Sequence, residues 1–188
     1  MDNQNPFQRL LEILLERSFE KRRVVLASGR VSDYYIDCRE TSLNPEGAYL
    51  VGRVFLERLQ QGPTVEAVAG VTLGGDPLVT AIAVVSHLQG SPLPAIIVRK
   101  QEKEHGKGGA LVGASGIKTG TRIALVEDVV TTGGSVIRAI DKLKGAGFNV
   151  IRVLCLVDRE EGGSQSLKNM GFELEAIFRK NDFMAREA

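Results

Sequence analysis

Residues 124–136 read ALVEDVVTTGGSV. The opening Ala124–Val126 is apolar, two acids follow at Glu127 and Asp128, and Thr131, Thr132, Gly133, Gly134 and Ser135 come next. A short unbroken apolar run suits a strand covered on both faces, and a glycine-rich turn after it suits a strand-to-helix junction. In an open parallel sheet, ligands lie beyond the carboxyl ends of the strands, so the acids are expected to face the floor of a site. Adjacent residues of a strand point to opposite faces. One acid should therefore touch a ligand directly and the other act from the side or through water.

The backbone N–H groups of Thr132, Gly133, Gly134 and Ser135 can converge on an anion, aided by the positive end of the next helix. Taken singly, an acid pair ends a strand and TTGGS caps a helix. Consecutive, they make a phosphate cradle whose acids can accept from vicinal sugar hydroxyls or hold a hydrated Mg2+. The cradle is not a nucleotide P-loop, because no Lys-Ser/Thr follows the glycines, nor is it a G-x-G-x-x-G turn.

Outward from this stretch the rhythm is that of an α/β chain. AIIV at 95–98, IALV at 123–126 and VLCLV at 153–157 are further short apolar runs. They predict strands over 65–71, 95–98, 123–126 and 150–157, with helices over about 76–88 and 134–144 between them. Apolar positions from Phe7 to Phe19 recur at helical spacing, and Asn44-Pro45 caps and opens another helix that Gly62-Pro63 stops. Between these helices, Val24–Leu26 and Tyr34–Asp37 read as the two extended pieces of a covering hairpin. The expected fold is a central, mostly parallel sheet flanked by helices, with hood elements over about 1–42 and a core over about 43–180. The tail RKNDFMAREA reads as a solvated end or a small dimer contact.

The 188 residues are 43% hydrophobic and carry a formal net charge of +1, enough apolar content for one domain with a real core. No global field recruits nucleic acid or an anionic membrane surface. Cys38 and Cys155 are far apart in the chain, and Cys155 sits in an apolar run, which fits a reducing compartment. No run approaches the roughly 20 apolar residues of a membrane span. The expected location is the cytoplasm.

The segment VRKQEKEHGKGG leaves the strand at 95–98 with Arg99, Lys100, Lys103, His105 and Lys107 among glycines. A charge run is ordinarily a solvated loop. Here the glycines suit a cationic lid, which a departing diphosphate requires. Taken alone, Arg159 reads as one half of a surface ion pair with Asp158 or Glu160.

In these segments the chain resembles a known family. ALVEDVVTTGGSV is similar to the diphosphoribose-binding motif of the type I phosphoribosyltransferases, and RKQEKEHGKGG to the R-K-x-x-K-x-H-G loop of orotate phosphoribosyltransferases. VVLASGRVSDYYID resembles the hood segment of the same enzymes, and CLVDREEGG the segment whose arginine recognises orotate. The resemblance implies the type I phosphoribosyltransferase fold and transfer of a 5-phosphoribosyl group from 5-phosphoribosyl 1-diphosphate (PRPP) to orotate. It implies Mg2+ as cofactor, arriving with substrate and water beside Glu127 and Asp128, with no direct protein ligand assigned.

Carried over by position, the resemblance assigns PRPP to Arg99, Lys100, Lys103, His105, Glu127, Asp128, Val129, Val130, Thr131, Thr132, Gly133, Gly134 and Ser135. Lys103, His105 and Arg99 take the catalytic roles. Orotate falls to Thr131 and Arg159. It further implies a homodimer in which Lys100 serves its own chain, while Arg99, Lys103 and His105 serve the partner's site. Neither nucleic acid nor membrane is an implied partner.

Ala27 and Leu73-Gly74 depart from members that carry lysine at the first place and an aromatic-lysine pair at the second. Arg99, Lys100 and Lys103 must then carry more of the charge, or affinity is lower. TLGGD at 72–76 can still offer N–H groups to the diphosphate. The cradle alone also permits a purine acceptor, and a regulator that lost catalysis but binds nucleic acid is a third reading. The loop and Arg159 argue against the second; the charge balance argues against the third.

Overall fold

The structure is a computed structural model that describes residues 5–25, 31–101 and 109–185. Helix α1 (Pro6–Arg17) opens where the Asn5 side chain accepts the Phe7 N–H at 2.9 Å, and it buries Leu10, Leu11, Ile13 and Leu14. It ends short of Phe19, which belongs to β1 (Phe19–Glu20); β2 (Val24–Val25), β3 (Val31–Ser32) and β4 (Tyr35–Ile36) come next. The expected hairpin between the pieces at 24–26 and 34–37 is not formed. Instead β2 pairs with β3 and β4 pairs with β1, both antiparallel. The pairing that wins sets Phe19 opposite Ile36, two buried side chains on one face.

Helix α2 (Arg39–Ser42) leads into α3 (Pro45–Gln60), where the Asn44 carboxamide oxygen accepts the N–H groups of Glu46 and Gly47 at 3.1 and 3.2 Å. This is the cap expected from Asn44-Pro45. Then come β5 (Ala67–Val71), α4 (Gly75–Leu88), β6 (Ala95–Val98), β7 (Leu111–Val112), β8 (Arg122–Val130), α5 (Gly134–Gly145), β9 (Asn149–Asp158), α6 (Gly163–Asn169), β10 (Leu174–Arg179) and α7 (Lys180–Met184).

The main sheet runs β10-β9-β8-β5-β6-β7, parallel throughout except for the β6–β7 pair. From β5 the chain crosses through α4 to β6; from β8 it crosses through α5 to β9, in the opposite direction along the sheet. The adjacent pair β5 and β8 is therefore the switch point, and the crevice beyond its carboxyl ends is where such sheets bind ligands.

Two apolar clusters sandwich the sheet. One joins α1, the hood residues Phe19, Tyr34 and Ile36, α3 and α4 to Ala124, Val126, Leu154 and Leu156. The other joins α5 and α6 to Ile123, Leu125, Val153 and Cys155. Alternate residues of β8 thus serve opposite faces. Both cysteines are free and fully buried. Arg152 is buried on the α3 side of the sheet: it forks onto Glu175 at 2.7 and 2.6 Å and donates to the carbonyls of Leu59 and Arg58 at 2.8 and 3.1 Å. It ties the end of α3 to β9 and β10.

The C-terminal segment differs from the solvated tail expected. Its first part forms α7, and Phe183 is 1% exposed, with its ring 5.6 Å from Phe19 and 6.3 Å from Phe178. Phe178 in turn meets Phe7 at 4.5 Å, and Phe19 stacks on Tyr34 at 5.7 Å. A charged stretch around one aromatic is polar by composition, and only its tertiary partners reveal it as an anchor. Among the described residues, no helix is long and apolar enough to cross a membrane. Phe183→Ala should lower the unfolding free energy by about 3 kcal/mol or more, as for other buried phenylalanines, measured by urea denaturation; a change near zero would mean that α7 does not support the fold.

Candidate active site

The site grows from the alternation in β8. Position 127 continues the face of Ile123 and Leu125, so Glu127 turns toward α5; position 128 continues the face of Ala124 and Val126, so Asp128 turns toward the hood and α4. The strand continues to Val130, so the acids sit within it and not after its end. Glu127 is 5% exposed; its carboxylate accepts the Ser135 hydroxyl at 3.0 Å and the Asp128 N–H at 3.3 Å. Asp128 accepts the Val129 N–H at 2.8 Å. Burial pushes the Glu127 carboxyl well above its ordinary range, with the Asp128 charge adding to it.

These acids floor a cavity of about 280 Å3 whose walls include Tyr35, Ile36, Asp37, Arg39, Thr72, Leu73, Gly74, Lys100, Val129 and Ser135. The wall at Thr72–Gly74 is the exit of β5, its Thr72-Leu73 peptide is cis, and Thr72 donates its hydroxyl to Asp76 at 2.7 Å. Gly74 lies so near Asp128 that a Cβ there would run into the carboxylate. Gly133, at φ 84°, takes the left-handed turn that starts α5, and the first-turn N–H groups of that helix have no intrahelical acceptor. Beside the main cavity, a space of about 20 Å3 is lined by Arg99, Lys100, Ser135, Arg138 and Lys142. Lys142 donates to the carbonyls of Arg99 and Lys100 at 2.7 and 3.0 Å, so α5 also grips the exit of β6.

Residues 42–183 match the model of the phosphoribosyl transferase domain. The orotate phosphoribosyltransferase of Sorangium cellulosum is 49% identical over 177 residues, 94% of this chain and 92% of its own. The chain belongs to the orotate phosphoribosyltransferase family. The crystal structure of the Mycobacterium tuberculosis H37Rv orotate phosphoribosyltransferase with Fe(III) dicitrate aligns with a TM-score of 0.82 at 34% identity, over 95% of this chain and 99% of that one. The same M. tuberculosis enzyme in complex with PRPP aligns with a TM-score of 0.78 at 30% identity, over 96% of this chain and 99% of that one. The α/β architecture expected from the sequence is thus the type I phosphoribosyltransferase fold of this family.

Of the residues that the family resemblance singles out, Lys100, Glu127, Asp128, Val129 and Ser135 meet around one cavity. Arg99 lies in the adjoining space. Val130 packs its side chain in the core, and its carbonyl accepts the Arg159 N–H at 2.9 Å. The carbonyl of Thr131 accepts the Gly163 N–H at 2.8 Å, and Thr131 with Thr132, Gly133 and Gly134 forms the turn into α5. Lys103 and His105, like Ala27 and Lys107, lie outside the described residues.

Arg159 does not line the cavity. It is 3% exposed, donates to Glu161 at 2.7 Å and to Ser32 at 2.9 Å, and lies 4.2 Å over the Tyr34 ring. The surface pair with Asp158 or Glu160 is replaced by a buried one with Glu161. Asp37 and Arg39, which the hood delivers to the cavity wall, are given no role by the motifs that mark the site in the sequence. Opposite charges two residues apart, shortly after the recognisable Tyr34-Tyr35, were the available signal.

The Glu127 environment sets a pH dependence. A carboxyl whose pKa is raised on folding stabilises the fold below its unfolded pKa, and that contribution is lost as pH rises from there through the folded pKa. Glu127→Gln should therefore gain stability relative to the unsubstituted chain as pH rises from about 4.5 toward neutrality, while losing turnover. Parallel urea unfolding curves from about pH 4 to 8 check this; a stability difference independent of pH would show that Glu127 is not held against its charge.

Proposed function

We infer that this chain catalyses the reaction of its family, displacement of diphosphate from PRPP by orotate to give orotidine 5′-phosphate. One observation carries the reading: β8 delivers its two acids to a cavity floor directly before a glycine turn and a helix N-terminus, with Lys100 on the same cavity wall. The S. cellulosum relative bears the name of that activity, and the M. tuberculosis relative has been crystallised with PRPP.

In this reading the 5-phosphate takes the unsatisfied N–H groups at the start of α5, and the ribose hydroxyls donate to Asp128, with Glu127 steadying the floor through Ser135. N1 of orotate attacks the anomeric carbon with inversion. The bond to the diphosphate oxygen breaks, and the diphosphate leaves with the electron pair. No covalent protein nucleophile is required, since orotate can bind already ionised and positioning with charge stabilisation does the rest. Arg99, Lys100, Lys103 and His105 are assigned to the diphosphate, with Lys103 acting mainly on turnover.

Thr131 and Arg159 are assigned to the base. Arg159 already holds a carboxylate, that of Glu161, so recognising the orotate carboxylate exchanges one such partner for another. Among the described residues, no group of three or more His, Cys, Asp or Glu is placed to hold a metal. Mg2+ is commonly held by one or two carboxylates together with substrate phosphates and water. Glu127 and Asp128 are the carboxylates on the cavity floor beside which it would sit. Mg2+ bound there would neutralise charge on the departing diphosphate.

A homodimer with a shared basic loop belongs to the same proposal. The chain has a face for it: an apolar trough of about 690 Å3 between α3 and α4, where Leu43, Tyr49, Leu73, Val84 and Leu88 are exposed. A cytoplasmic location completes the proposal, with cell fractionation as its check.

The decisive experiment incubates the protein with PRPP, Mg2+ and orotate, uracil, hypoxanthine or adenine, and reads diphosphate release. Release with orotate only is expected. Release with a purine instead would overturn the acceptor, and release with none would favour a non-catalytic role. The shared loop has its own test by mixing Lys103→Ala with Asp128→Ala, each expected to be nearly inactive alone. Recovery of activity on mixing is expected, because a hybrid dimer contains one site with an intact loop and intact acids; no recovery under conditions that exchange subunits would refute the sharing.

A further inference from the structure

Among the described residues, the cavity above Glu127 and Asp128 is lined by two cations, Arg39 and Lys100. The remaining wall at Thr72–Gly74 carries none, and a side chain on Gly74 would collide with Asp128, so that wall stays bare. A leaving group with several negative charges therefore needs donors from the hood side. Arg39 stands there.

Its geometry is that of an oriented donor. Nε and Nη2 donate to the two oxygens of Asp37 at 2.8 and 2.6 Å, and the Arg39 N–H donates to the same carboxylate at 3.0 Å. Asp37 itself is partly shielded, at 17% side-chain exposure, whereas Arg39 is open at 43%. Nη1 has no acceptor among the described residues. An arginine clamped along one edge keeps a free pair of N–H bonds on the other, fixed in direction, which matches a phosphate oxygen well.

We propose that Arg39, oriented by Asp37, is a further binding residue for the diphosphate of the donor. The inference rests on reading this cavity as the diphosphate end of the PRPP site. It also gives the hood a part in holding the donor: the same short segment that carries Tyr34 beneath Arg159 sets Arg39 on the wall above the acids. Asp37 aims the guanidinium and at the same time competes for it, so the two residues of the pair have opposite effects on anion affinity.

That opposition makes the test. Arg39→Met and Asp37→Asn are compared with the unsubstituted chain in titrations with inorganic diphosphate and Mg2+, and in KM for PRPP and for orotate. Arg39→Met should weaken diphosphate binding about tenfold, the size of one charged hydrogen bond, and raise KM for PRPP, with KM for orotate within about twofold. Asp37→Asn should bind diphosphate as tightly or more tightly. Equal losses in both variants would mean that the pair only braces the hood, and an Arg39→Met affinity within about twofold would remove the residue from the site; either result overturns the proposal. Should Arg39→Met fold poorly, Arg39→Lys replaces it, with a partial loss expected and full affinity counting against the role. Because diphosphate binding is read without orotate, an Arg39-dependent affinity in a protein that does not use orotate would defeat the acceptor assignment and leave this inference standing.

Discussion

A carboxylate held in the sheet against its own charge is the constraint on which the site depends. Glu127 continues a file of apolar residues on the α5 side of β8, where little solvent reaches it. The Ser135 hydroxyl and the Asp128 N–H are the donors that make its presence tolerable. Those contacts in turn bind strand, turn and helix into one unit. The register between β8 and β9, with Glu127 opposite Cys155, seals the unit from behind. A buried acid that is costly to the fold yet placed on a cavity floor is an ordinary compromise at functional sites.

From that unit the other parts take their places by topology. Strands β5 and β8 are neighbours whose chains depart in opposite directions, so the bare wall at Thr72–Gly74 faces the acids across a crevice. The grip of Lys142 on the Arg99 and Lys100 carbonyls ties the exit of β6 to the helix that forms the cradle. The cradle, the acids and the start of the basic loop are thereby anchored to one helix.

The centre of this arrangement was legible in the sequence. AIIV, IALV and VLCLV are long enough and apolar enough to announce buried parallel strands, and the order of acids, hydroxyls and glycines from Glu127 to Ser135 announces the strand-to-helix turn at the end of the middle one. The edges were not. Strands of two residues, such as Val24–Val25 and Tyr35–Ile36, carry too little alternation to choose partners, and their pairing is decided by which aromatic face can be buried. Strand β10 hid because Glu175 interrupts its apolar pattern, an interruption explained only by Arg152 from the neighbouring strand. Arg39 hid for a similar reason: the resemblance marks Tyr34 and Tyr35, and nothing in the spacing says that the next charged pair turns into the cavity.

The aromatic cluster under the hood links the two ends of the described chain. Phe7, Phe19 and Tyr34 emerge early in synthesis, yet Phe178 and Phe183, the rings they close against, emerge much later. Until those late residues have left the ribosome, Phe19 lacks its Phe183 partner and Phe7 its Phe178 partner. The sheet and its acid floor can assemble as their strands appear, but the hood above it closes only when those later rings arrive. In a growing polypeptide, the acid floor of the pocket precedes the hood that covers it.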